Sequence, residues 1–430
     1  MSEVQRPVLG VIADDFTGAS DVASMLVREG LRTRLLIGVP PAGMAPPADA
    51  DALVIALKSR TVPAAQAVAA SLAALGWLRE RAQARQFYFK YCSTFDSTPA
   101  GNIGPVAEAL LEALGGDFTI ACPAFPENGR TVFRGHLFVG DQLLSESGMR
   151  EHPLTPMSDA NLVRVLQAQS RGRVGLLGHQ ALAGGAAAAR ERIAALRAEG
   201  VRLAVADAVD DHDLRVLAEA CIELPLLTAG SGLALGLPAL YAARGWVQPD
   251  AAAADLPAVG GRAAVLSGSC STASNAQVRH WLEAGRPALR LDPLALAEGQ
   301  PLVEQALAWA GRQAWPLLIY ATAEAEALRR VQMTLGAARA GALVETALAA
   351  IARGLVERHG VHRLVVAGGE TSGAVVQALG LQALRIGAAI DPGVPWTHAE
   401  GPGGQPLLLA LKSGNFGTVD FFAKALRRVA

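Results

Sequence analysis

The sequence is short of lysine, of aromatic rings, of paired cysteines and of any excess of one charge, and each shortage removes a class of protein. Thirty-eight basic side chains meet thirty-nine acidic ones, a net charge of -1. The electrostatic footprint of a chain that tracks nucleic acid or an anionic bilayer is therefore missing, and neither partner is expected. The four cysteines (Cys92, Cys122, Cys221, Cys270) form no C-x-x-C pair and have no histidine at zinc-finger spacing, which argues against a disulfide framework and a structural metal. His136, His152, His179 and His398 show no recurrent spacing. No Gly-Lys pair occurs, so there is no Walker-type phosphate loop. The longest uncharged stretch, between Glu223 and Arg244, is broken by Pro225, Gly230, Gly232, Gly236 and Pro238, and reads as a strand, a glycine turn and a helix rather than a membrane span. The first apolar run meets Asp14 and Asp15 before a signal-peptide core could run its course, so a cytoplasmic location is expected.

What remains is aliphatic. Hydrophobic residues make up 51% of the 430, charged residues 18% and aromatic residues 5%. That is more chain than one core usually serves, and it predicts two lobes with aliphatic cores covered on both faces. Short unbroken apolar runs alternate with helical stretches of 10–20 residues: Val8–Ala13, Leu53–Leu57, Phe87–Tyr91, Phe118–Cys122, Val174–Leu177, Leu203–Ala206 and Leu226–Leu227. A second series follows at Ala263–Leu266, Ala288–Leu291, Leu317–Tyr320, Leu364–Ala367 and Leu407–Leu411. Strands buried on both faces and joined by helices imply an α/β fold with mostly parallel sheets. Within 132–144, Gly140-Asp141 reads as a hairpin turn. Residues 246–261 lose periodicity and collect Pro, Ala and Gly. The expected organisation is two mostly parallel α/β domains, 1–245 and 262–430, joined by a linker, with an active-site cleft between them.

Ligands of open α/β sheets bind beyond the carboxyl ends of the strands, so polar clusters directly after apolar runs are the candidates. In the second half GGETSG (Gly368–Gly373) lies between a strand and a helix, where glycines permit close backbone approach and the helix start offers unpaired N–H groups to phosphate. SGSCS (Ser267–Ser271) and KSGNFG (Lys412–Gly417) occupy equivalent places. The chain has only four lysines, and three of them, Lys58, Lys90 and Lys412, sit at these strand ends, where a point charge can reach a phosphate or carboxylate.

In the first half Asp14 and Asp15 end the opening strand, placed for general-base work or for magnesium. A helix cap explains one of them but not both. KYCSTFDS (Lys90–Ser97) gathers a cation, hydroxyls and Asp96, a set suited to a small polyhydroxylated acid, and Arg60 can pair bidentately with a carboxylate. Asp210–Asp213 reads as the charged start of a helix rather than a metal site. GSGLALG (Gly230–Gly236) is one residue off the dinucleotide fingerprint and follows the last strand of its domain, which disfavours a nicotinamide enzyme.

Taken together, IADDFTGASDVA (Ile12–Ala23), KYCSTFDSTPAGNIGPV (Lys90–Val106), CPAFPENGRTVFRGHLFV (Cys122–Val139), LSGSCS (Leu266–Ser271), AGGETSGAV (Ala367–Val375), IDPGVPW (Ile390–Trp396) and LKSGNFG (Leu411–Gly417) resemble the four-carbon acid sugar kinase family. The Lys90–Val106 and Leu266–Ser271 segments are most similar to the branch acting on 3-oxo-tetronates. The resemblance implies a sugar-acid-binding domain followed by a nucleotide-binding domain, with ATP and Mg²⁺ used to phosphorylate the substrate's 4-hydroxyl. ATP contacts are expected at Ser267 or Ser269, at Gly368, Gly369, Glu370 and Thr371, and at Gly414. Asp15, or next Asp96, would accept the hydroxyl proton, while Lys412 would offset developing charge. Arg60 and Lys90 would hold the substrate carboxylate, with Asp14, Ser93, Thr94 and Ser97 completing the pocket. Homo-oligomerisation is open, and no particular residue is assigned to metal. The rivals are a threonate or erythronate kinase of the same family and a regulator that binds nucleotide and sugar acid without turnover.

Overall fold

The computed structural model describes residues 6–151 and 155–427; Met1–Gln5, where the reading of the N-terminus begins, and His152 lie outside them. The chain divides into two compact units, Met1–Ala254 and Asp255–Ala430. Both are mixed α/β structures built on mostly parallel strands.

The first unit contains β1 (Leu9–Ala13), β2 (Thr33–Ile37), β3 (Ala52–Ala56), β4 (Gln86–Lys90), β5 (Thr119–Cys122), β6 (Arg130–Phe133), β7 (His136–Val139), β8 (Gln142–Leu143), β9 (Arg173–Leu177), β10 (Val201–Ala206) and β11 (Leu226–Ala229). Its parallel strands run β2-β3-β1-β4-β11-β5-β10-β9. β1 and β3 are buried along their whole length, as five-residue apolar runs covered on both faces must be. The chain leaves β1 towards β2 and β3 on one side and towards β4 on the other, which makes the carboxyl end of β1 a topological switch point. Ala13 pairs with both Ala56 and Lys90, so the three loops that follow begin at one level.

β6, β7 and β8 form a small antiparallel sheet. Gly140-Asp141 is the turn between β7 and β8, and a second tight turn at Arg134-Gly135, not expected from the sequence, joins β6 to β7. Asp207 holds that turn by accepting from the backbone N–H groups of Arg134 and Gly135. The stretch after Glu223 resolves into β11, a 3₁₀ turn at Gly232–Gly236 and a helix at Leu237–Ala243. Among the described residues, no single helix is long and apolar enough to cross a membrane.

The second unit contains β12 (Arg262–Ser267), β13 (Ala288–Arg290), β14 (Leu317–Tyr320), β15 (Val361–Ala367), β16 (Ala383–Asp391), β17 (Val394–Glu400) and β18 (Pro406–Lys412), in the order β13-β14-β12-β15-β18-β17-β16. The first five are mutually parallel and the last two pairings are antiparallel. Ser267 pairs with Tyr320 and with Ala367, and Ala367 pairs with Lys412. Four strand ends therefore stop at one level. A core of Val265, Trp281, Leu318, Val365, Trp396 and Phe421 holds them there.

Candidate functional site

In the first unit the strand ladder continues one step into the loops. Asp14 N–H donates to the Lys90 carbonyl at 3.0 Å, and the Asp14 carbonyl accepts from the N–H groups of Ser59 (2.9 Å) and Arg60 (3.2 Å). This fixes the three segments that carry Asp14, Arg60 and Lys90 against one another. The Arg60 guanidinium forks onto Asp14 at 2.9 and 2.8 Å and reaches Asp15 at 2.6 Å, while its third nitrogen lies 3.8 Å from Asp96. Burial alone would lower the Arg60 pKa, but Asp14 and Asp15 raise it well above the ordinary value. The guanidinium is thus a permanent cation already held by carboxylates.

Asp15 caps the helix Phe16–Arg28, accepting from Gly18 N–H at 3.0 Å and from the Thr17 hydroxyl at 2.8 Å. Burial pushes its pKa up, yet Arg60, Lys90 and those two hydrogen bonds outweigh it and hold the carboxyl below its usual range. Gly18 is required by this packing. A Cβ there would stand 2.8 Å from Lys90 Nζ and closer still to Asp15 Oδ1. Lys90 is buried at 3% exposure, and its ammonium donates to the Tyr91 carbonyl at 2.9 Å, which leaves further donor capacity.

The loop after β4 supplies the remaining expected residues. The Thr94 hydroxyl donates to Asp96 Oδ1 at 2.6 Å and contacts the Cys92 sulfur at 2.9 Å. Ser93 and Asp96 are half-buried on the rim, whereas Thr94 and Ser97 are buried. The Ser97 hydroxyl is taken up by the Gln169 amide at 3.0 Å, so it ties the loop rather than facing outward. Burial pushes the Cys92 thiol up to about 12, which removes it as a nucleophile at neutral pH. Lys58, unlike Lys90, is exposed.

Two residues of this unit were not singled out from the sequence. Asn102 places its side-chain nitrogen 2.7, 3.0 and 3.0 Å from the carbonyls of Ser59, Arg60 and Val62, and so shapes the loop that presents Arg60. Asp21 is buried, accepts from the Ser231 hydroxyl at 2.5 Å and has its other oxygen without a hydrogen-bond partner among the described residues. Burial holds its pKa above the ordinary range against the pull of Lys90 and Ser231. Spacing gives no warning of the Asp21–Ser231 contact, which joins residues 210 apart. Asp210 caps the helix Asp211–Cys221, as expected.

In the second unit a cavity of about 320 Å³ opens over the carboxyl ends of the parallel strands. Ser269, Gly368, Gly369, Glu370, Thr371 and Gly414 all line it. The ladder again runs on past the strands: Gly268 and Ser269 donate to the Ala367 carbonyl at 3.0 and 3.2 Å, and Gly368 donates to the Lys412 carbonyl at 2.9 Å. Gly368 precedes the helix Gly369–Ala378, whose start no side chain caps. Its φ of 125° lies where only glycine is at ease, and a Cβ there would meet the Thr371 hydroxyl at 2.9 Å and the Ser269 amide at 3.3 Å. Uncapped N–H groups over a glycine turn form an anion site.

The structure separates the two serines offered as alternatives. Ser269 lies on the cavity wall, while Ser267 is fully buried, its hydroxyl 2.6 Å from that of Thr322. Lys412 is also fully buried. Its ammonium donates to the Gly414 carbonyl at 2.9 Å and to the Ser274 hydroxyl at 3.1 Å, with no carboxylate paired to it among the described residues. Burial pulls its pKa down to about 7.

Two family models match the chain, a sugar-binding N-terminal domain over residues 9–237 and a nucleotide-binding C-terminal domain over residues 264–422. Among curated proteins the chain is 64% identical to a 3-oxo-tetronate kinase of Pseudomonas savastanoi pv. phaseolicola and 65% identical to one of Pseudomonas fluorescens, in each case over 99% of this chain and 98% of the relative. Among solved structures, a Salmonella typhimurium LT2 protein matches with a TM-score of 0.87 at 44% identity, over 98% of this chain and 99% of that one. A Haemophilus influenzae protein matches with a TM-score of 0.79 at 46% identity, over 98% and 100%.

Proposed function

The chain belongs to the four-carbon acid sugar kinase family, and from that premise we propose that it is an ATP-dependent kinase that phosphorylates the 4-hydroxyl of a 3-oxo-tetronate. Curated relatives at 62–65% identity over essentially the full length support this substrate over threonate or erythronate. The observation that carries the kinase reading is the glycine-built end of the second unit's cavity, where the uncapped helix start at Gly368–Thr371 stands beside Ser269 and Gly414. Such a surface holds phosphate through backbone N–H groups and needs no Walker lysine.

Phosphoryl transfer asks little covalent chemistry of a protein; it asks for an in-line acceptor, neutralised phosphate oxygens and exclusion of water. Ser269, Gly368–Thr371 and Gly414 would hold the triphosphate. Lys412, bonded to the Gly414 carbonyl, would add positive charge behind it. Magnesium would neutralise charge on the terminal phosphates. Among the described residues no group of three or more His, Cys, Asp or Glu forms a metal cage; Glu370, on the cavity wall, would be the residue to hold the ion.

In the first unit Lys90 would bind the substrate carboxylate, with Ser93 and Thr94 meeting hydroxyls and the Asp14–Arg60 pair setting the floor. For the general base the geometry favours Asp96 over Asp15. Asp15 is held below the usual carboxylate range and already accepts from Arg60, Thr17 and Gly18. Asp96 has one oxygen whose nearest ionic partner is 3.8 Å away.

The test is a coupled ADP-release assay with ATP and Mg²⁺ over 3-oxo-tetronate, threonate and erythronate, with phosphorus NMR locating the phosphate. The expected result is turnover on 3-oxo-tetronate with phosphate on O4. Preferred turnover of threonate or erythronate would move the chain to the neighbouring branch. Nucleotide binding with no acid consumed would favour a regulator.

A further inference from the structure

The helix Ala325–Leu335 is out of place in a soluble core. None of its residues is buried, yet Ala327, Leu328, Val331, Gln332 and Leu335 form a half-buried stripe at helical spacing while the intervening positions are exposed. Ala327, Leu328 and Val331 of this mostly apolar stripe line the cavity of the second unit. The next helix, Ala337–His359, is set at 105° to it across Gly336, and contributes Ala337, Ala340, Gly341 and Val344 to the same cavity, again a stripe at i, i+3, i+4 and i+7. Two largely aliphatic walls thus flank one space, and among the described residues no aromatic ring lines it.

Strand order says which end of a ligand this space receives. The glycine turns that suit phosphate follow β18, β15 and β12, whereas β14 and β13 end in Ala321, Ala323, Arg290 and Asp292, on the side of the two helices. From β18 to β13 is four strand spacings, about 19 Å at about 4.8 Å each, enough for an extended nucleoside triphosphate with its base beyond the polar turns.

We propose that the helix Ala325–Leu335 is the base-holding wall of the nucleotide site, with Leu328 and Val331 covering the adenine ring and Ala340 and Val344 forming the opposing wall. The inference rests on the nucleotide-binding reading above and adds residues that the phosphate turns do not include. Apolar contact with an unhydrated ring face replaces stacking on an aromatic, and Gly336 lets the wall turn sharply into the next helix.

The test compares two ligands on the full-length protein by calorimetry, ATP and inorganic tripolyphosphate. The double variant L328A/V331A, which deletes no buried side chain, is expected to bind ATP at least tenfold more weakly than wild type while tripolyphosphate affinity stays within twofold. Hydrogen exchange across 325–335 is expected to slow on adding ATP but not tripolyphosphate. Equal ATP affinities for variant and wild type would overturn the base wall and leave phosphate binding standing. Equal loss for both ligands would also overturn it, since the effect would then lie outside the base. Wild-type protein that binds neither ligand would overturn the nucleotide-binding reading and this inference with it.

Discussion

Both units present parallel strand ends at one level and extend the ladder one residue into the loops, but they furnish those ends in opposite ways. In the first unit the ends carry Asp14, Asp15, Arg60, Lys90 and Asp96, a cluster of side-chain charges that compensate one another. In the second they carry glycine and serine, an uncapped helix start and Lys412, bonded only to neutral acceptors among the described residues, while Arg290, Asp292 and Glu370 also line the cavity. The same scaffold can therefore recognise a ligand through paired ions or through backbone dipoles. Paired side-chain charges give directional selectivity for a small carboxylated molecule, because each oxygen needs its own partner. Backbone N–H groups suit a polyanion, for which closeness of approach counts most.

If the charged end does the chemistry, the largest effect belongs there. Asp96→Asn is expected to lower turnover about 10²–10⁴-fold, the usual worth of a positioned general base, with ATP affinity unchanged in a fluorescent-nucleotide titration. Asp15→Asn should cost less in turnover and more in melting temperature, because the amide can still cap the helix but no longer carries the charge that pairs with Arg60. Turnover by Asp96→Asn within tenfold of wild type would return the role to Asp15.

A crossed pair of variants sharpens the contrast between the two ends. Lys90→Met should raise the KM for the sugar acid about 10- to 150-fold, the value of a hydrogen bond to a charged group, and leave the KM for ATP alone. Gly368→Ala should do the reverse, raising the KM for ATP at least tenfold, because the added methyl would stand against Thr371 and the Ser269 amide. Steady-state kinetics with each substrate varied in turn would show whether the two losses separate.

The smallest effect concerns Lys412. The folded Lys412 titrates near 7 and the unfolded residue near 10.5. Between those values the unfolded chain binds more protons, so stability should rise with pH across the window, while below about 7 both states are protonated and the penalty of the buried charge is present in full. Melting temperatures measured from pH 6.5 to 9.5 should climb for wild type relative to Lys412→Met. Parallel curves would mean that the buried amine stays charged.

Local pattern was a good guide wherever one segment suffices. The runs at Val8–Ala13 and Leu364–Ala367 became β1 and the buried end of β15, because segments covered on both faces must be apolar. Asp210 capped its helix because a cap acts within three residues. Pattern failed at β2, where Arg34 interrupts the apolar run and is held by Asp49. It also failed at β16 and β17, an antiparallel pair in which Gly387 and His398 break the periodicity. Six of the seven residues expected to touch ATP line one cavity, because they sit in turns that directly follow neighbouring parallel strands. The aliphatic walls beside them were invisible, because alanine, leucine and valine at helical spacing read as core unless the structure shows what they face.

The sequence by itself determined where strands end and which chemistry follows each end, since both are written in stretches of ten residues or fewer. Only the tertiary structure decided which ends stand side by side. The parallel pairing of β1 with β3 and β4 brings Arg60 onto Asp14 across 46 positions, and helix packing brings Ser231 onto Asp21 across 210. Parallel neighbours are joined by crossovers whose lengths carry no record of strand order. Burial, which pulls Lys412 down and holds Asp21 up, exists only once the surrounding layers have closed over the strand ends.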